Sequence, residues 1–136
     1  EQDKFLKSYK DSFKSILEIG FNAGHSSEIF LSNNKNVELT SIDLGYWYYT
    51  KFGVRFLSRK FKKQINVIYK DSIQALSDFS TIEENTFFDL IYIDGNHEYE
   101  YAILSAAASH NNESPVTHIC LAIQGPFFRF RRTWSW

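Results

Sequence analysis

The chain has 136 residues, 43% of them hydrophobic and 18% aromatic, which is enough apolar surface for one compact core but not for several. Its 15 basic and 16 acidic side chains leave a formal charge of −1, so no global electrostatic attraction points to DNA, RNA or an anionic membrane as partner. The single cysteine, Cys120, excludes an internal disulfide framework, and no apolar run approaches the roughly 20 residues of a membrane helix, so a soluble, cytoplasmic protein is expected.

No methionine occurs, and the chain opens inside a helix-like pattern, so a fragment or processed chain is expected. Phe5, Leu6, Tyr9 and Phe13 recur at helical spacing and predict an amphipathic helix over 1–14 that packs on the domain. Ser15 to Gly20 reads as a strand, Phe21 to Gly24 as a tight turn, and His25 to Ser32 as a helix. Val37 to Ile42 is a second strand closing on Asp43. A longer helix follows, with Phe52, Phe56, Leu57 and Phe61 as its apolar face and Lys51, Arg55, Arg59, Lys62 and Lys63 as its wet face. Ile65 to Tyr69 predicts a third strand closing on Asp71, Ile73 to Phe79 a short helix, and Phe87 to Ile93 a fourth strand closing on Asp94. A last helix is expected from Glu98 to Ala108, and Val116 to Ile123 reads as one more strand.

Strands alternating with helices define an α/β class: a Rossmann-like, doubly wound, mainly parallel sheet with helices on both faces. The domain is expected over 1–123, with 124–136 as an aromatic and basic tail lacking fixed structure. Ligands of such sheets bind at the carboxyl ends of the strands.

Four of those ends carry chemistry. In Ile16-Leu17-Glu18-Ile19-Gly20-Phe21-Asn22-Ala23-Gly24, an acid precedes two glycines in a turn into a helix. Glycine lets backbone approach a ligand closely, and the first amides of the helix are free to meet a carboxylate or phosphate. Glu18 suits an amine, so a ligand with both amine and carboxylate fits better than a pyrophosphate; an ordinary strand-to-helix turn is the competing reading. Asp43, about 20 residues beyond the turn, suits a ribose diol. Asp71-Ser72 suits an adenine amino group, or simply caps the helix that begins at Ile73. Asp94 and His97 end the fourth strand. His97, with an intrinsic pKa near 6.5, suits a general base, although a helix-start histidine bonded to backbone reads equally from the sequence.

In this order the motifs Glu18-Ile19-Gly20-Phe21-Asn22-Ala23-Gly24-His25-Ser26, Asp43, Asp71-Ser72 and Ile93-Asp94-Gly95-Asn96-His97-Glu98-Tyr99 resemble the class I S-adenosylmethionine-dependent methyltransferases. The resemblance is to the small-molecule and sugar O-methyltransferase branch with an Asp-Gly-x-His motif. It covers Ser15 to Ala108, and the chain reads as truncated or divergent beyond that. It implies S-adenosylmethionine (SAM) as cofactor: Glu18, Gly20, Asn22 and Gly24 at the methionine part, Asp43 at the ribose, Asp71 and Ser72 at the adenine. It further implies Asp94 as ligand to a divalent cation such as Mg2+, His97 as base, and a small-molecule hydroxyl as acceptor. Asn22 stands where many such enzymes have glycine, a mild change because asparagine tolerates left-handed backbone angles.

Two other readings use the same residues. A nicotinamide dehydrogenase shares the strand, turn and acid logic, but Glu18 and the missing third glycine argue against it. A non-catalytic module, or a homo-oligomer formed through an open sheet edge after the fourth strand, accommodates the divergent end. His110, His118 and Cys120 are too irregularly spaced for zinc. The Arg129, Arg131, Arg132, Trp134 and Trp136 tail suits nucleic-acid stacking or a membrane surface less well than an unstructured end.

Overall fold

In a computed structural model of the protein, strand β1 (Ser15–Ile19) stands at the centre of a parallel sheet, and its residues beyond Ser15 are all buried. A strand buried on both faces must be apolar in nearly every position, which explains the Ile16-Leu17-x-Ile19 run, interrupted only by Glu18. The structure describes residues 4, 13–75, 78 and 88–94, and the backbone of 118–121. The expected helix over 1–14 lies outside them except at Lys4, Phe13 and Lys14, as do the helix from Glu98 to Ala108 and the tail over 124–136.

After β1 come helix α1 (His25–Asn33), strand β2 (Glu38–Asp43), helix α2 (Tyr48–Phe61), a 3-10 turn (Lys62–Gln64) and strand β3 (Ile65–Tyr69). Strands β4 (Leu90–Ile93) and β5 (His118–Leu121) follow. The sheet order is β3-β2-β1-β4-β5 and every pairing is parallel. The direction of winding reverses at β1, where the chain crosses from the β2 side to the β4 side. Residues 118–121 lie within the stretch from Val116 to Ile123 that reads as a strand, and they pair with β4, so the edge expected to stand open after the fourth strand is paired.

Two apolar layers lie on opposite faces of the sheet. Ile16, Leu39, Leu90 and Tyr92 pack with Ile29, Phe30 and Leu31 of α1 on one face, where the Phe30 and Tyr92 rings meet edge to face at 5.2 Å. Leu17, Ile19, Ile42, Ile91 and Ile93 pack with Ala75 on the other. Among the described residues no helix is long and apolar enough to cross a membrane.

Asp89 fixes where β4 meets β1. Its carboxylate accepts from the Lys14 amide at 2.7 Å and the Ser15 amide at 2.9 Å, and its own amide donates to the Ser15 carbonyl at 3.0 Å. The start of β1 is therefore clamped by a residue 74 positions away.

Helix α2 presents only part of the face that the sequence predicts: Leu57 is buried and Phe61 packs half-buried against the core, but the other two do not. Phe52 and Phe56 are 63% and 57% exposed, while the buried residues are Thr50 and Leu57. The cause is Gly53, which lies against the glycine turn: a Cβ there would stand 2.4 Å from the Ala23 carbonyl oxygen. The helix turns its narrowest stripe, Thr50-Gly53-Leu57, to the turn, and the bulkier phenylalanines face outward. Helix propensity alone favours alanine over glycine by about 1 kcal/mol. Gly53→Ala is nonetheless expected to destabilise by roughly 1–3 kcal/mol in chemical denaturation, because the contact is with backbone that cannot swing aside. A variant more stable than the parent would sink this account of the packing.

Candidate functional site

The carboxyl ends of four strands meet around a pocket of about 340 Å3, a size suited to a small molecule. Its wall takes Ile19 and Gly20 from β1, Ile42 and Asp43 from β2, Lys70, Asp71 and Ser72 from beyond β3, and Ile93 and Asp94 from β4. The sheet ladder extends past the strands to hold these residues. Gly20 donates to the Ile42 carbonyl at 2.8 Å, Asp94 to the Ile19 carbonyl at 2.8 Å, and Lys70 to the Asp43 carbonyl at 3.0 Å. The pocket thus lies at the switch in winding direction, where open α/β sheets take their ligands.

The turn after β1 owes its shape to three left-handed residues: Gly20 at φ 96°, Asn22 at φ 53° and Gly24 at φ 86°. Asparagine is among the few residues with a side chain that visit this region without a large penalty, so Asn22 serves where glycine was expected. Gly24 caps α1 without a side chain of its own, and a Cβ on it would collide with the Phe21 ring at 2.6 Å. Gly24 is thus a packing requirement of the turn and stands behind the pocket wall.

Asp43 is the best-anchored acid of the site. One carboxylate oxygen accepts from the Asn22 amide at 2.9 Å and the other from the Gly45 amide at 2.7 Å. Each oxygen keeps a lone pair for a further donor, so the carboxylate is oriented before any ligand arrives. Asp71 accepts from the Ile73 amide at 3.0 Å and the Gln74 amide at 3.3 Å, so it caps the helical residues that follow while still lining the pocket with Ser72. The capping reading of Asp71 is therefore met, and its place in the wall leaves the carboxylate within reach of a ligand.

Glu18 lies elsewhere than its place in the motif suggests. It is fully buried on the α1 face of β1, behind the turn. Its Oε1 accepts from the Ser26 hydroxyl at 2.5 Å, and its Oε2 accepts from the Ser27 hydroxyl and, at 2.7 Å, from the Ser41 hydroxyl. Burial raises its pKa from 4.5 to about 7; the three serine hydroxyls oppose that rise, and the negative charge of Asp94 adds to it. Glu18 ties β1, β2 and the first turn of α1 together from beneath.

The sequence reading passed over the wall's aromatic side. Tyr46, Trp47 and Tyr49 line the pocket directly after β2, with the Trp47 and Tyr49 rings stacked at 5.9 Å. Four consecutive aromatics from Tyr46 to Tyr49 after a strand-end acid are the signal that marks them. Lys70, also unforeseen, is ion-paired with Asp78. His97 lies outside the described residues. Asp94 is in the wall, and among the described residues no three His, Cys, Asp or Glu side chains converge on one point.

A parallel α/β sheet with a strand-end pocket, a glycine turn and an anchored acid at the end of β2 places the chain in the doubly wound α/β class. Within that class, residues 17–121 match the family model described as a methyltransferase domain, and the chain belongs to this family. The match runs past Ala108 and through β5, further than the motifs alone reached. Solved structures share the fold. An O-methyltransferase from Bacillus cereus in complex with SAH superposes with a TM-score of 0.73 at 20% identity, covering 88% of this chain and 55% of that one. A SAH-bound methyltransferase from Podospora anserina gives 0.71 at 21%, covering 88% and 51%. An O-methyltransferase from Streptomyces achromogenes in complex with SAM gives 0.71 at 16%, covering 88% and 54%. The chain therefore spans about half the length of these structures. No curated protein sequence matches it significantly.

Proposed function

We propose that the strand-end pocket binds SAM and that the domain serves methyl transfer to a hydroxyl of a small-molecule acceptor. The observation that carries this reading is the Asp43 carboxylate, held by two backbone amides at the pocket wall with acceptor capacity to spare. A ribose diol offers two donors to such a group, and an unphosphorylated ribose suits its charge. The left-handed residues Gly20 and Asn22 of the turn suit the amino-acid end of the cofactor, and Asp71 with Ser72 the adenine. The aromatic wall of Tyr46, Trp47 and Tyr49 offers apolar surface to the cofactor on that side. When bound, SAM supplies an activated methyl group on a sulfonium. The protein's task is then to position the acceptor and accept its proton, and His97, directly after Asp94 and Gly95-Asn96, is assigned as that base.

Isothermal titration of S-adenosylhomocysteine (SAH), SAM and NADH into the purified chain tests the reading without knowledge of the acceptor. Saturable binding of SAH and SAM with none for NADH is expected. Binding of NADH in their place would return the pocket to a dehydrogenase, and a folded chain that binds none of the three would reduce it to a non-catalytic module.

A further inference from the structure

The net charge of −1 conceals a sharp segregation. Between Asp43 and Asp71 every charged residue is a lysine or arginine, so the rest of the chain is correspondingly acidic. That basic segment contains α2, whose inner stripe is fixed by Thr50 and Leu57. Its outer face carries Tyr48, Phe52 and Phe56 at successive i, i+4 positions, 74%, 63% and 57% exposed, with Tyr48 and Phe52 in edge contact at 6.4 Å. Exposed Lys51, Arg55 and Arg59 lie between and beside these rings, since positions three and four apart share a helix face. Lys60 leans over the Phe56 ring at 5.7 Å and pairs with Glu28; among the described residues it is the cation of this helix with a carboxylate partner. The patch continues past the start of the helix to Trp47, 61% exposed, and Tyr46, 82% exposed, at the pocket's lip.

We propose that this face of α2 docks the domain on an anionic lipid surface, with the pocket mouth turned toward the headgroups. Exposed aromatics cost free energy in water but settle at the headgroup level of a bilayer, where their apolar rings and polar edges are both served. Cations on the same convex face find lipid phosphates and carboxylates within reach, each strengthening the attraction. A helix with this composition lies in the plane of the interface without crossing it. A convex face favours a bilayer over single-stranded nucleic acid, which is held in grooves. The bulk charge gave no hint of this partner because the acidic remainder of the chain cancels the patch in the sum.

Co-sedimentation of the full chain with vesicles tests the proposal, and the assay reads adsorption alone, whether or not the pocket takes SAM. Binding is expected to phosphatidylcholine vesicles containing a substantial share of phosphatidylserine, not to phosphatidylcholine alone, and is expected to fall in high salt. Arg55→Gln with Arg59→Gln should lower partitioning on the order of 10-fold or more. Phe52→Ser with Phe56→Ser should lower it at least as far, with circular dichroism confirming the fold. Equal binding to neutral vesicles would overturn the proposal, as would unchanged partitioning in both double variants. It would also be overturned if the chain binds an oligouridylate and no vesicle. A dimer in sedimentation velocity that the phenylalanine variant dissociates would assign the face to a second copy instead.

Discussion

Asp43→Ala is expected to weaken SAH binding on the order of 100-fold or more, with the chain still folded. Two hydrogen bonds from a diol to a charged, pre-oriented acceptor contribute roughly 1.5–3 kcal/mol each, and both disappear with the carboxylate. The loss is local because Asn22, whose amide is one of the two left behind, lines the pocket, where water can meet it. Asp43→Asn sharpens the test. One of its two side-chain positions becomes a donor facing a backbone amide that also donates, so the amide cannot reproduce the carboxylate's grip on the turn. Titration of SAH into both variants, beside their thermal unfolding, separates ligand contact from folding. Retention of parental affinity by a folded Asp43→Ala protein would remove the ribose contact and with it the main support for the cofactor reading.

Glu18→Ala should be the most damaging single change to the fold. It strips the acceptor from three serine hydroxyls in a dry layer and opens a cavity under the glycine turn. Each unsatisfied hydroxyl costs about 1–3 kcal/mol, against a total stability on the order of 5–15 kcal/mol for a domain. Loss of cooperative unfolding is therefore expected. Glu18→Gln is the informative partner, because it keeps the shape and removes the titration. Between pH 4.5 and about 7 the unfolded chain has lost the Glu18 proton while the folded chain still holds it. Stability therefore falls as pH rises through that window and levels off above it, by on the order of 3 kcal/mol in all. Urea unfolding at pH 4 and pH 8 should show this slope in the parent and a flatter one in Glu18→Gln. Identical slopes would mean that Glu18 stays charged in the folded state.

The strands and the acids that end them were legible because a buried parallel strand is a short apolar run and its carboxyl end is punctuated by glycine or aspartate. β2 and β3 fall within a residue of their expected limits. Three things were not legible, each for a physical reason. The orientation of α2 depends on a backbone contact of Gly53 that no periodicity encodes, and Phe52 and Phe56 at helical spacing looked like its core face. Glu18 sits one residue from the pocket in sequence, but alternation along β1 sends Leu17 and Ile19 to one face and Ile16 and Glu18 to the other. Its three serine partners come from two separate elements, so only the fold assembles them. The third was the pairing at the end of the sheet: Val116 to Ile123 read as a strand and contains His118–Leu121, but its parallel pairing with β4 is a long-range choice that local composition leaves open.

The reversal of winding at β1 has a consequence for how this chain comes to be folded. Residues 13–70 hold β1, β2 and β3 with the helices between them, and emerge from synthesis well before Asp89. Until Leu90–Ile93 arrives, the free edge of β1 from Ile16 to Ile19 is a template for any passing strand. The Asp89 carboxylate, by seizing the Lys14 and Ser15 amides, sets the register with which that vacancy is filled. The middle of the finished sheet is thus the last of its early strands to be closed, and the chain's most aggregation-prone interval is the wait for its second half.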